Sequence, residues 1–348
     1  MALDAGSLKG WLKLGIWMWM FFSSHQMDAQ MGGRKSFQFL NLPSTARSAS
    51  LGGVNVSSWD QDGQMFLSNP ALLDSLVDRH AGLTYQSLVA DISYGTFTYV
   101  HAFETPGIWG VGVQYLNYGD FQGFDASGAP TGSFSGSEVA LMLAYARPIG
   151  PIQLGADLKI MFSGLAGYTA SALLLDIGGI FRHREQDLTV GLTFRNVGVV
   201  LSDFTTTSES ELPFDVQLGV TFKPKHMPFR LSLTGYNFGL VNEKLFDNTG
   251  TGEGTPTEVG TFDGIMRHIA IGTEVLVHRN FNLRLGYNHL VRQELRLAET
   301  SGGAGLSFGF LMRIRKFELA YTHSIYHTGG GYDYFTLVVD LNSFITKK

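Results

Sequence analysis

An apolar/polar alternation with a period of two recurs from about residue 80 to the C-terminus. Every second residue from Ile152 to Phe162 is apolar, and Asp157 and Lys159 lie between them. Because successive side chains of a β-strand point to opposite faces, such a segment has one apolar face and one polar face. The connectors between these segments are alternately long and very short. That asymmetry is typical of a membrane barrel, which has tight turns at one rim and long loops at the other.

Fourteen segments carry the alternation, and an even count suits a single-chain barrel with both termini at one rim. The sequence therefore predicts an all-β fold, a transmembrane antiparallel β-barrel over residues 79–348. The predicted strands span residues 80–90, 92–103, 108–118, 138–147, 152–162, 168–181, 188–199, 214–222, 229–238, 268–277, 281–289, 305–314, 317–327 and 334–345.

Four connectors are long and rich in Gly, Ser, Thr and Asp, at residues 119–137, 201–213, 240–267 and 291–304. All four have the same parity, so a barrel brings them to one rim, which faces the outside of the cell. A soluble β-sandwich or a solenoid shows the same alternation in its strands. Neither explains the connector parity together with an N-terminal secretion signal.

Several charged residues fall on the polar faces of the predicted strands. An Arg or Lys at the membrane midplane costs roughly 2–4 kcal/mol on the lipid face, so these side chains are expected to point into the lumen. We assign Asp157, Lys159, Arg195 and Arg284 to the lumen on this ground. Tyrosines near strand ends, among them Tyr334, suit an aromatic girdle at the membrane interface.

The N-terminus has the features of a secretory signal peptide, which we assign to residues 1–29. Lys9 and Lys13 precede an apolar run at residues 14–22, far shorter than the ~20 residues of a transmembrane helix. Cleavage is predicted after Ala29, in a region of small residues. The alternative is an uncleaved N-terminal anchor helix.

Residues 30–78 do not alternate and form a separate part of the predicted architecture. A fourteen-stranded barrel has a lumen too wide for its own side chains to fill, so a chain segment or water has to occupy it. Small residues and the turn formers Asn69-Pro70 predict an N-terminal plug, with Arg47 and Asn69 among its lumen residues. The alternative is a disordered periplasmic tail, against which the hydrophobes Phe39 and Phe66 argue.

Composition and motifs argue against several kinds of chemistry. The chain has no cysteine, which removes disulfides and thiolate sites, and its net charge of −5 gives no reason to expect nucleic acid. Asp60-Gln61-Asp62-Gly63 begins like a calcium loop, but Ala71 stands at position twelve, where the bidentate glutamate is needed. A turn is the better interpretation. Without a convincing catalytic set, the sequence predicts no enzyme activity, no metal and no cofactor.

Apolar residues on the long loops are the candidate partner contacts, since exposed aromatic and aliphatic side chains often form interface cores. The alternative is that they pack on their own barrel, because isolated exposed apolar residues are normal. The residues assigned to partner binding are Phe121, Phe124, Phe134, Phe204, Leu245 and Phe246.

Short motifs across the mature chain resemble a known family. The pattern Ala46-Arg47, Leu51-Gly52-Gly53 and Asn69-Pro70-Ala71 before fourteen strands resembles the FadL-like outer-membrane barrels, which include the PorV proteins of the type IX secretion system. The similarity is closer to the PorQ-like barrels of that system. The stretches that carry it are Phe39-Leu40-Asn41-Leu42-Pro43, residues 115–121, Leu212-Pro213-Phe214-Asp215, residues 286–290, residues 292–295 and residues 305–310.

The resemblance implies a non-enzymatic anchor. PorQ-like barrels belong to a surface attachment complex of Bacteroidetes, together with PorV, the sortase-like PorU and PorZ. PorU cleaves the sorting signal of secreted cargo and links the cargo to anionic lipopolysaccharide, while PorQ-like barrels hold PorZ at the surface. The implied partners are outer-membrane lipid, a PorZ-like protein, PorU- and PorV-like subunits and lipopolysaccharide. The alternative is a FadL-like transporter of hydrophobic small molecules.

Overall fold

The computed structural model of the protein describes residues 36–89, 91–104, 107–207, 210–238, 261–295, 302–327 and 330–344. The predicted signal peptide and the loop residues Leu245 and Phe246 lie outside the described residues. Within the described part, fourteen antiparallel strands close into one barrel, and the first strand pairs with the last. The predicted fold class and strand count are confirmed. The strands are β1 (His80–Ser87), β2 (Ser93–Ala102), β3 (Ile108–Phe124), β4 (Pro130–Ile149), β5 (Ile152–Leu165), β6 (Tyr168–Arg182), β7 (Asp187–Ser202), β8 (Asp215–Lys223), β9 (Phe229–Gly235), β10 (Ile269–His278), β11 (Phe281–Asn288), β12 (Leu306–Ile314), β13 (Phe317–His327) and β14 (Gly330–Asp340).

The long predicted loop at residues 119–137 is mostly strand. β3 continues to Phe124 and β4 begins at Pro130, so the connection between them is short. The glycines and serines of this stretch suggest a loop, but they pair across the two strands, as Gly123 does with Gly132. The prediction was wrong here because turn-forming residues also occur in a strand that has no neighbour on its outer side.

The last strand also differs from the prediction of residues 334–345. It begins earlier, at Gly330, and ends at Asp340, where a 3₁₀ turn at Leu341–Phe344 follows. Asp340 starts this turn because its Oδ1 accepts a hydrogen bond from the backbone N–H of Asn342 at 3.0 Å. The apolar residues of that stretch therefore do not continue the strand.

Short helices accompany the strands. α1 (Ala46–Ser50) precedes the barrel, and α2 (Thr261–Met266) lies between β9 and β10. α3 (His289–Leu295) follows β11 and extends into the predicted loop 291–304. None of the helices in the described ranges is long and apolar enough to cross a bilayer.

The barrel is apolar on its outside and charged on its inside, the reverse of a soluble domain. Large apolar side chains such as Leu83, Leu143 and Leu285 are exposed on the outward strand faces, whereas Lys159 and Arg284 are buried. This distribution suits a wall that is surrounded by lipid. The chain is therefore an integral multi-pass β-barrel of the outer membrane, as the sequence predicts.

Tyr334 corrects one expectation about the membrane interface. Its side chain is 0% exposed, so it does not belong to an aromatic girdle. It shares a strand face with Thr336, which is also buried, because residues two apart on a strand point the same way. Alternation along β14 therefore outweighs its position near a strand end.

Residues 36–78, which we call the lumen segment, lie inside the barrel. The backbone N–H of Ala46 donates to Thr336 Oγ1 on β14 at 3.0 Å. On the opposite wall, Thr189 Oγ1 on β7 donates to the carbonyl of Ser57 at 2.6 Å. Because β7 and β14 are half a circumference apart in a fourteen-stranded barrel, the segment crosses the lumen.

Local caps hold the lumen segment in tight turns. At α1, Thr45 Oγ1 accepts from the backbone N–H of Ser48 at 3.0 Å, and Ser48 Oγ accepts from the N–H of Thr45 at 3.1 Å. Asn69 Oδ1 accepts from the N–H of Ala71 at 3.0 Å and starts the 3₁₀ turn Pro70–Leu72. These bonds satisfy backbone donors that the lumen shields from water.

Glycines on inward strand faces allow the lumen segment to approach the wall. A Cβ on Gly155 of β5 would lie 2.4 Å from the carbonyl carbon of Pro70 and 2.5 Å from the nitrogen of Ala71. A Cβ on Gly191 of β7 would lie 2.2 Å from the carbonyl oxygen of Val56. Backbone packs directly against backbone at these points, so a side chain would displace the segment.

Candidate functional site

The inner wall and the lumen segment share a buried cluster of charges around Glu274 of β10, which we call the Glu274 cluster. Glu274 is 1% exposed. Its Oε2 accepts from Arg47 Nη2 at 3.0 Å and from Arg230 Nη1 at 2.9 Å, and its Oε1 accepts from Arg284 Nε at 3.0 Å. One carboxylate from the wall therefore binds three guanidinium groups, one of which belongs to the lumen segment.

Two further carboxylates of the lumen segment complete the Glu274 cluster. Asp60 Oδ2 lies 2.9 Å from Arg230 Nη1, and Asp62 Oδ2 lies 3.5 Å from Arg47 Nη1. Burial by itself raises the pKa of Asp60, but Arg47 and Arg230 outweigh this effect and hold that pKa at about 2. The acidic pair that begins like a calcium loop thus binds arginine, and the cluster ties the lumen segment to β9, β10 and β11.

A second cluster lies around Asp176 of β6, and we call it the Asp176 cluster. Asp176 Oδ2 accepts from Lys159 Nζ at 2.5 Å, and its Oδ1 accepts from the backbone N–H of Asn196 at 2.7 Å. Arg195 lies beside them, with its Nε 3.7 Å from Asp176 Oδ2, and its Nη2 donates to the carbonyl of Leu40 at 3.1 Å. This cluster also joins the wall to the lumen segment.

Asp157 has no partner in the Asp176 cluster. It is directly opposite Asp176 in the register of β5 and β6. Within the described part of the chain, neither of its carboxylate oxygens has a hydrogen-bond partner, although the side chain is buried. Two facing carboxylates repel each other, and an unpaired buried polar group carries its full desolvation cost.

Substitutions of these two aspartates should change stability in opposite directions. Asp157→Asn removes a buried charge whose oxygens accept no hydrogen bond and is expected to raise the free energy of unfolding by about 1 kcal/mol. Asp176→Asn removes the anion that Lys159 binds and should lower that free energy by roughly 3 kcal/mol. Urea unfolding midpoints in detergent micelles measure both changes. Equal signs for the two variants would contradict the assignment of the partners.

The other assigned lumen residue, Asn69, contacts both the segment and the wall. Its Nδ2 donates to the carbonyl of Val56 at 2.9 Å, and its side chain lies over Gly178 of β6. Asn69 thus links two parts of the lumen segment to the wall of the barrel. Searching the described residues finds no group of three or more His, Asp or Glu side chains that could hold a metal ion.

The outer rim carries a two-stranded ribbon, which we define as residues 120–124 of β3 and 130–135 of β4. β2 pairs with β3 only as far as Asn117, and β5 pairs with β4 only as far as Gly136. The ribbon therefore extends beyond its neighbours. Its edges lack ladder pairing in the described residues, apart from the carbonyl of Ser135, which accepts from the N–H of Ala166 at 3.2 Å. Strands of about 9–11 residues suffice to span a membrane, so β3 and β4, with 17 and 20 residues, project above it.

A bulge sets which side chains share a face of the ribbon. The register shifts by one residue between Asn117 and Asp120, where Gly119 has a φ of +76°. A left-handed residue at such a site is the usual role of glycine in a bulge. After the shift, Phe121 lies opposite Phe134, and their rings stack with centroids 5.4 Å apart.

Three of the predicted partner residues lie on this ribbon. Phe121, Phe124 and Phe134 are 37%, 63% and 38% exposed. They belong to strands, not to loops as the sequence suggested. Phe204 is different, because it is half-buried and packs against the apolar cluster inside the barrel. Leu245 lies outside the described residues, as noted above for Phe246.

The sequence analysis missed Asp176, Arg230 and Glu274. All three obey the alternation that assigned Asp157, Lys159, Arg195 and Arg284 to the lumen, because they share strand faces with buried neighbours. They are found when every charged residue on the polar face of a strand is assigned to the lumen. Their pairing with particular partners is not encoded locally, since Arg47 and Glu274 are 227 residues apart.

No protein-family model matches the chain, and no curated protein matches it. A FadL homologue of Pseudomonas aeruginosa has 10% identity and a TM-score of 0.49, covering 85% of this chain and 98% of its own. The KdgM porin has 5% identity and a TM-score of 0.32, covering 75% and 98%. CdiB from Acinetobacter baumannii has 10% identity and a TM-score of 0.34, covering 75% and 59%. Identities this low transfer no function to the chain.

Proposed function

We propose that the chain is a non-enzymatic anchor that holds a protein partner above the outer membrane. The ribbon supports this proposal most directly, because it places exposed phenylalanines beyond the membrane-spanning wall. A two-stranded ribbon with no third strand is only marginally stable in water. Its mostly unpaired edges and its aromatic side chains are the features that a partner protein can cover.

The identity of the partner rests on the resemblance to PorQ-like barrels. The partner is then a PorZ-like surface protein, through which the barrel joins PorU- and PorV-like subunits in the attachment complex of the type IX secretion system. Anionic lipopolysaccharide is the acceptor for cargo in that complex. The barrel contributes a fixed position in the outer membrane and performs no chemistry. A lumen segment held by buried ion pairs suits such a static role.

Two serine substitutions on the ribbon should weaken partner binding. Phe121→Ser/Phe134→Ser removes the stacked pair, and interface aromatics of this kind contribute about 2 kcal/mol or more each. The amount of PorZ-like protein that co-purifies from native outer membranes should fall by at least about tenfold, since 1.4 kcal/mol corresponds to a factor of ten. The measurement is quantitative mass spectrometry of the affinity-purified barrel.

A matched control lies at the opposite rim. Leu76 and Phe103 are also exposed apolar residues, near the turns that face the periplasm. Leu76→Ser/Phe103→Ser should leave co-purification unchanged. The proposal fails if the ribbon variant assembles in the membrane and still retains its partner at the level of this control.

Transport of hydrophobic small molecules is the alternative function. It needs a passage, and the lumen segment lies across the lumen with its backbone packed on Gly155 and Gly191. Uptake of a fluorescent fatty acid by liposomes that contain the purified barrel would favour transport over anchoring. Liposomes with the barrel should behave as empty liposomes if the chain is an anchor.

A further inference from the structure

The outward wall carries a groove across β1, β14, β13 and β12. The groove has a volume of about 400 Å³, and its wall is almost entirely apolar. The register places two rows of side chains side by side across these strands. One row is aromatic and the other aliphatic, in the order of the strands: Tyr85, Phe335, Tyr321 and Phe310, then Leu83, Leu337, Leu319 and Met312.

Small residues form the floor of this groove. Ala320 and Thr336 point inward, so no large side chain stands between the two outward rows at these positions. The floor is held from inside, because Ala320 packs in one apolar cluster with Ala46 and Ala49 of α1. Thr336 Oγ1 also accepts from the backbone N–H of Ala46. The lumen segment therefore supports the floor of the groove from inside the barrel.

A polar cluster lies next to the aromatic row, toward the outer rim. Asp333 Oδ1 accepts from Tyr321 Oη at 2.7 Å and lies 2.8 Å from His323 Nδ1. All three residues are on outward strand faces, in the rows that contain Ser87 and Phe335. A carboxylate on the outward face is costly in hydrocarbon. This row therefore marks the membrane–water interface at the outer rim of the barrel.

The carboxylate of Asp333 is accessible, because its side chain is 42% exposed. The imidazole of His323 lies over Gly331, where a Cβ would come within 2.6 Å of Nε2. Both hydrogen bonds to Asp333 end on Oδ1. The second oxygen, Oδ2, can therefore accept from a group in the headgroup layer, directly beside an apolar groove.

We propose that the groove and this cluster form a binding site for an amine-bearing membrane lipid. One acyl chain lies in the groove, whose almost entirely apolar wall suits hydrocarbon. The ammonium of the headgroup donates to Asp333, because a carboxylate attracts a cation and charge-assisted hydrogen bonds are the stronger kind. The site is independent of the partner surface on the ribbon.

The test uses the full-length barrel in detergent and two lipid probes. Phosphatidylethanolamine carries an amine and phosphatidylglycerol does not, so native mass spectrometry of the delipidated barrel with each probe reports the preference. The wild-type barrel should retain one phosphatidylethanolamine and prefer it by about tenfold, which corresponds to 1.4 kcal/mol. Asp333→Asn should retain both lipids equally.

Filling the groove tests the acyl-chain part of the proposal. Leu337→Trp places a larger side chain in the aliphatic row, where it should fill the groove. Retention of both lipids should then be abolished. Leu158→Trp is the matched control, because Leu158 is an exposed outward leucine on β5, away from the groove. Retention by the Leu337→Trp barrel equal to that of the control overturns the proposal. Equal retention of the two lipids by the wild type overturns it as well. Heat-modifiable migration on gels verifies that each variant is folded.

A second membrane protein is the competing occupant of this wall. A photo-crosslinking amino acid at Leu319, inside the aliphatic row, distinguishes the two in native membranes. Crosslinking to lipid supports the proposal, whereas a discrete crosslinked protein band overturns it.

Discussion

Glu274→Gln should destabilise the folded barrel by about 3–5 kcal/mol, the range found when one partner of a buried ion pair is removed. The side chain keeps its size, so the effect comes from charge. Three guanidinium groups lose the carboxylate that now lies within 3.0 Å of each of them. Arg284 is affected most, because Arg47 and Arg230 also contact Asp60, whereas the ion pair of Arg284 in the described residues is with Glu274. Both side chains of that pair are about 1% exposed. The midpoint of urea unfolding in detergent micelles measures the change.

An exposed ion pair on the same barrel provides the control. Asp187 of β7 lies 3.9 Å from Lys223 of β8, and Asp187 is more than half exposed. Exposed pairs contribute about 0–1 kcal/mol, so Asp187→Asn should shift the midpoint little. A Glu274→Gln barrel as stable as the Asp187→Asn barrel would show that the Glu274 cluster does not hold the interior together.

The barrel wall could be predicted from the sequence because its signal is local. Alternation, connector parity and strand count are all readable within short windows, and they place Lys159 and Arg284 on inward faces without any knowledge of their partners. The exception is the stretch around Gly123 and Gly132. There the residue types are those of a turn, and only the cross-strand register shows that they are paired.

The interior contacts could be predicted only in part. The plug expectation identified Arg47 and Asn69, but it could not pair Arg47 with Glu274, because such a pair depends on the path of the lumen segment through the barrel. Phe204 is a second residue whose tertiary contacts the sequence did not predict. Its position between strands suggests an exposed loop residue, whereas tertiary packing half-buries it against the interior.

The two charge clusters and the inward glycines act on the same element. The Glu274 cluster binds the lumen segment through Arg47, the Asp176 cluster reaches it through Arg195, and Gly155 gives it room. The clusters hold the segment through ion pairs and hydrogen bonds, whereas the absent side chain of Gly155 lets its backbone pack against β5. Substituting the glycine therefore tests how the lumen is closed without changing any charge.

Gly155→Val should open the lumen while leaving the wall intact. A Cβ at this position would lie 2.4 Å from the carbonyl carbon of Pro70, so the backbone of the 3₁₀ turn has to move away from β5. Gln153, which donates to the carbonyls of Ala71 and Leu73, then loses both bonds. Valine favours strands, so β5 itself should still form. We expect discrete ion-channel openings in planar bilayers, where the wild-type barrel should stay near background.

The adjacent strand supplies the matched control for this experiment. Gly179 of β6 lies in the next pair of the register and faces outward, where a Cβ would meet only Leu154 Cδ2 at 3.5 Å. Gly179→Val should therefore fold normally and remain closed. If Gly155→Val folds and conducts no more than Gly179→Val, the lumen segment does not close the barrel at this wall. Conductance in the Gly155→Val barrel alone would show that backbone contact with one glycine keeps the interior shut.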